Sequence, residues 1–136
     1  MKRKNHNKGF SLVELIVVVL IMGVIAVALA PQVMKWVSSA KVSADSRVKD
    51  NLKSIGQAAV AEYEGAGHSL VDANYIVTSS GISAVGGTDP NSGMAALLLE
   101  YAGGEKPQVQ NENGKVFQIE IKDTGAVTIS TVSGTY

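Results

Sequence analysis

Cysteine is absent from this chain of 136 residues, which excludes a disulfide framework and any thiolate metal site. A folded region built from it must hold by burial and hydrogen bonding alone. Histidine is scarce: beyond His6 only His68 occurs. No Ser/His/Asp spacing, glycine-rich phosphate loop or zinc pattern accompanies it. His68 therefore reads as a solvated loop residue, and the chain is expected to be no enzyme and to need no cofactor. Basic clusters interleaved with aromatics are missing too, so no specific nucleic-acid surface is expected. The length leaves room for one small domain.

Formal charge sums to zero, but the average hides an uneven distribution. Lys2, Arg3, Lys4 and Lys8 open the chain with no acid among them. Over residues 35–53, Lys35, Lys41, Arg47, Lys49 and Lys53 outweigh Asp45 and Asp50. Beyond that, acids outnumber Lys106, Lys115 and Lys122. A basic tip, a basic stem and an acidic head predict ordered contacts between copies.

What is abundant is apolar length. Residues 15–30 are apolar apart from Gly23, and the wider segment 10–34 contains a single charge, Glu14. At about 1.5 Å per helical residue this segment reaches roughly 37 Å, enough for a hydrocarbon core of about 30 Å. Cations before it and none inside predict a cytoplasmic N-terminus and an exported remainder. A secretory signal peptide would share the basic start and the apolar core, with Ala28-Leu29-Ala30 as its cleavage site. Cleavage there would leave Pro31 next to the cut, where its ring and missing N–H hinder a protease that binds extended backbone. A plain signal anchor is a further alternative.

Glu14 separates these readings. A carboxylate in a membrane helix costs roughly 2.5–3.5 kcal/mol at mid-bilayer and less near the interface. Either it merely snorkels at headgroup level, or it awaits a cationic partner once lipid is left behind. The run Lys8-Gly9-Phe10-Ser11-Leu12-Val13-Glu14, followed by the apolar segment and Pro31, resembles the N-terminal signature of type IV pilins and type II secretion pseudopilins. The resemblance implies cleavage after Gly9 by a membrane prepilin peptidase, which also N-methylates the new N-terminal Phe10. It implies that Glu14 meets the N-terminal amine of a neighbouring subunit. Ser11 and Val13 stand where many relatives have threonine and a larger aliphatic, a mild departure. Glycine before the cut agrees with this chemistry, because without Cβ the backbone can lie close to catalytic carboxylates. A buried Glu14–amine pair would set register more than stability, since a misplaced copy leaves a naked charge.

The resemblance further implies a homo-oligomeric filament raised by an assembly platform and its ATPase. The precursor would be a single-pass protein of the cytoplasmic membrane, and the product an extracellular or cell-surface structure. The expected function is a structural subunit of a type IV pilus-like filament. A secretion pseudopilin, a competence pilus subunit for DNA uptake and a plain anchored surface protein are the alternatives. The acidic head argues against DNA along its flanks.

The expected fold is α+β and pilin-like: a long N-terminal helix, membrane-spanning in its first half, packed in its second half on a small three-stranded antiparallel sheet. The expected segments are a leader (1–9), an assembly helix (10–34), an amphipathic stem (35–65) and a globular head (66–136). In the stem, Val37, Ala40, Ala44, Val48, Leu52, Ile55, Ala59 and Tyr63 recur at steps of three or four, the period of a helix. Ser39, Lys41, Asp45, Lys49 and Lys53 fall on its other faces, with Gly65 and Gly67 as the stop. Gly23 and Pro31 interrupt the helix, either as a tolerated kink or, by resemblance, as a stretch that loosens in the filament.

Residues 66–91 read as a long loop with a short strand at 75–78. A short helix over 93–101 would be capped from Asn91 or Ser92 and stopped by Gly103-Gly104. Strands are expected at 108–110, at 117–122 and at 127–131, with Asn113-Gly114 and Asp123-Thr124-Gly125 as turns. Asp89-Pro90-Asn91-Ser92-Gly93 opens like a calcium loop but lacks the downstream glutamate. It reads as a turn, with calcium as the alternative.

Overall fold

The computed structural model describes residues 10–110 and 112–134. The expected leader, with Gly9, lies outside the described residues. The chain divides into two units, Met1–Ser39 and Ala40–Tyr136. One α-helix, α1 (Leu12–Gly65), contributes to both.

In the first unit α1 is apolar on every side over residues 15–30, and all described residues up to Ser39 are exposed. Among the described residues nothing buries Leu15, Val19, Ile21 or Val24. The helix nonetheless runs unbroken through Gly23 and Pro31. Pro31 removes the donor that the Val27 carbonyl would accept, but the turns on either side stay helical.

In the second unit the stem periodicity finds its partner. Leu52, Gly56, Ala59, Val60 and Tyr63 are buried, with Val48 and Ile55 half-buried against them. Val37 and Ala40 remain exposed and Ala44 is the first of the stripe to be partly covered, so packing begins about two turns later than the pattern predicts. The stop is as expected. Gly67 takes φ 84°, open to glycine at little cost, and the Gly67 and His68 amides donate to Glu64 and Tyr63 carbonyls in a Schellman arrangement. His68 is exposed, as expected, but its ring lies 4.7 Å from that of Tyr63.

The sheet has four strands rather than three: β1 (Ala73–Val77), β2 (Ile82–Ala84), β3 (Lys115–Ile121) and β4 (Val127–Ser133). Their order is β2-β1-β3-β4, with neighbours antiparallel. Residues 108–110 form no strand. Both edges of β3 are already taken, by β1 and by β4, so a third partner has nowhere to pair. β1, which the loop-like composition around it disguises, is instead an inner strand. It is buried at four of its five positions, and such a strand does not alternate visibly in sequence.

Register lines the apolar side chains into rows across one face. Ala84, Tyr75, Ile119 and Ile129 form one row, and Ala73, Ile121 and Val127 another. This face and the stem helix share a single core. On the other face Gln118 donates to Asn74 at 2.8 Å.

At Gly56 the helix lies close against the sheet. A Cβ placed there would lie 2.6 Å from Val127 Cγ1 and 3.6 Å from Ile119 Cγ2.

The short helix α2 (Met94–Tyr101) buries Met94 and Leu98. Its N-cap is Gly93, with no side-chain cap from Asn91 or Ser92. The role falls to Asp89, whose Oδ2 accepts the Ala95 amide at 3.0 Å.

Candidate processing and assembly site

The expected site begins at Phe10, which is 88% exposed just ahead of the helix. Leu12 is the first helical residue, so Ser11 is the N-cap and Glu14 the third residue of the first turn. The two side chains serve each other. Ser11 Oγ accepts the Val13 amide at 3.3 Å, and Glu14 Oε2 accepts the Ser11 amide at 3.0 Å. This is a reciprocal capping box, which satisfies two backbone donors that a helix start leaves orphaned. The S-x-x-E spacing that signals it is visible in the sequence, although Glu14 there reads only as a snorkeler or a pairing charge.

The carboxylate thus has an occupation in the single chain and remains exposed, reachable by a further donor. Glu14 is also the only acid between Phe10 and Ala44. An ammonium brought to it would meet no competing carboxylate on that stretch of helix.

Gly23 and Pro31 lie further along the same helix and do not come together with Glu14. At Gly23 a side chain would meet nothing within 4 Å. The missing Cβ leaves an apolar notch between Val19, Leu20, Val24 and Val27.

The remaining polar groups of interest lie in the second unit. Asp45, expected on a face away from the apolar stripe, is only 7% exposed and accepts the Gln110 amide at 2.7 Å. It ties the segment that failed to become a strand to the stem. An open groove of about 270 Å³ beside it is lined by Val42, Ser46, Lys49, Val109, Glu112 and Thr131.

Asp89 and Asn91, candidates for a calcium loop, belong to a hydrogen-bonded knot. Asp89 accepts from the Tyr75 hydroxyl at 2.7 Å and from the Asn91 and Ala95 amides. Asn91, 1% exposed, bonds both the amide and the carbonyl of Val71 and donates to the Tyr75 oxygen. Burial, and then the Asp89 carboxylate, push the Tyr75 phenol above its ordinary range. Donors surround the Asp89 carboxylate, which is the wiring of a loop anchor; a calcium ion would want oxygen acceptors there. Among the described residues no three of His, Cys, Asp and Glu gather as metal ligands.

Comparison with known proteins bears on the N-terminal end. Residues 4–30 match the model of the prokaryotic N-terminal methylation motif. The chain is 32% identical over 133 residues to prepilin peptidase-dependent protein A of Clostridium perfringens (strain 13 / Type A). That match covers 96% of this chain and 89% of the relative. No solved structure matches the chain.

Proposed function

Because the chain belongs to the family of type IV pilins and type II secretion pseudopilins, we propose that it is a prepilin: cut after Gly9, N-methylated on Phe10, and built through its N-terminal helix into an extracellular filament. One observation carries this reading. From Phe10 to Ser43 no described residue is buried within the chain, and Leu12, Val13, Leu15, Val24 and Val27 are each more than 60% exposed. At about 25 cal/mol per Å² of apolar surface, such a face in water is untenable. Lipid before assembly and other copies afterwards are the two environments that cover it. The proposed partners are a prepilin peptidase/methyltransferase, an assembly platform with its ATPase, and like subunits. The precursor crosses the cytoplasmic membrane with its N-terminus inside.

The test is chemical. Sheared surface filaments should contain this chain, and intact mass with N-terminal sequencing should find it starting at a methylated Phe10. A mature start at Pro31 would instead mark an ordinary secretory precursor.

Gly23 and Pro31 have their proposed role in the filament. In lipid an unpaired carbonyl costs several kcal/mol, which keeps the segment helical despite two poor helix formers. Between copies that constraint relaxes, and residues 23–31 can open and let the filament lengthen under tension. A filament reconstruction should show this stretch non-helical in the wild type and α-helical after Gly23→Ala with Pro31→Ala. Continuous helix in the wild-type filament would leave Pro31 as a kink only.

A further inference from the structure

Trp36 is the one tryptophan of the chain, and it has no place in the core. It is 69% exposed on α1, next to Lys35 and past the end of the apolar run. A large aromatic left in the open on a helix needs an environment that is apolar on one side and wet on the other. The edge of a bilayer is such an environment, since indole rings favour the headgroup level and lysine stems snorkel toward it.

Spacing along the helix agrees. From Glu14 to Trp36 an α-helix rises about 33 Å, one hydrocarbon thickness of about 30 Å and a little over. Glu14 is the one charge within the apolar helix before Lys35. The two polar marks therefore sit one membrane apart.

We infer that Lys35 and Trp36 anchor the precursor at the outer lipid interface and fix the depth of its helix in the bilayer. The anchor sets Glu14 at the inner interface, where its carboxylate costs least, and holds Pro31 roughly 7 Å inside the outer boundary. The Val27 carbonyl that Pro31 leaves without a partner then lies in hydrocarbon, where opening the helix is most costly. The inference rests on the membrane-anchored precursor of the proposed function and is independent of filament formation.

The single tryptophan serves as its own probe. Full-length precursor in phosphatidylcholine–phosphatidylglycerol vesicles should float with the lipid. Its indole emission should be quenched more by lipids spin-labelled near the glycerol than by lipids labelled near the chain terminus. Stronger quenching by the deep label, or a water-like emission quenched by neither, overturns the anchor while leaving the membrane precursor standing. Failure to float with the vesicles overturns both.

The absence of cysteine permits a second measurement. Val33→Cys should be protected from an impermeant maleimide and Ser39→Cys labelled. Adding Trp36→Ala should raise labelling at position 33, because the helix is then free to slide. Unchanged labelling would show that Trp36 anchors nothing.

Discussion

Glu14→Ala and Glu14→Gln should both reach the membrane and both fail to form filaments when expressed without wild type. The two substitutions remove different things. Alanine removes the charge and also the acceptor that holds the Ser11 amide, at a capping cost of about 1 kcal/mol. Glutamine keeps the capping box, because its side-chain carbonyl can still accept from Ser11, and removes only the charge. Insertion should be at least as efficient as wild type in both, since a carboxylate in the apolar segment is a cost. Assembly should be lost in both if Glu14 pairs with the α-amine of a neighbour, because that pairing needs the charge.

Membrane fractionation beside the yield of sheared filaments separates three outcomes. Filaments from glutamine but not from alanine would mean that helix capping is the whole role of Glu14. Normal filaments from both would make it an interfacial bystander. Absence of filaments from both, with partial recovery alongside wild-type copies, is the expected result.

Gly56→Ala should destabilise the head, although alanine is the better helix former by about 1 kcal/mol in an exposed helix. The new methyl would stand 2.6 Å from Val127 Cγ1. Valine is branched at Cβ and stiff at χ1, and Val127 is pinned in register opposite Ile121. The helix must therefore lift off the sheet, an overpacking cost of roughly 1–3 kcal/mol. Each kilocalorie lost lowers the midpoint of a unit this size by about 4–8 °C.

The full-length protein in detergent, followed by near-ultraviolet dichroism, reads this loss through the buried Tyr63 and Tyr75. Gly65→Ala is the control, since a Cβ there meets nothing within 4 Å. Val127→Ala added to Gly56→Ala should restore part of the loss by double-mutant coupling. A midpoint for Gly56→Ala at or above wild type would refute the close approach.

The sequence alone determined the features whose causes lie within a few residues along the chain. The apolar run, the charge ahead of it and the glycine–phenylalanine junction define the apolar helix and the family. Period and punctuation define the stem helix, its stop near Gly67 and the helix α2. Alternation defines β3 and β4, and the spacing of Ser11 and Glu14 encodes the cap.

Tertiary structure decided what depends on partners far apart in sequence. Residues 108–110 lost their strand because β1, arriving from residue 73, took the edge of β3 they would have used. Asp45, off the apolar stripe, is buried because it accepts the Gln110 amide, 65 positions on. Asn91 became a buried residue through Val71 and Tyr75, and Gly56 became costly to replace through Val127. A backbone donor or a methyl group leaves no periodic trace at the position it will meet. Only the fold, by bringing distant positions into contact, makes the requirement local.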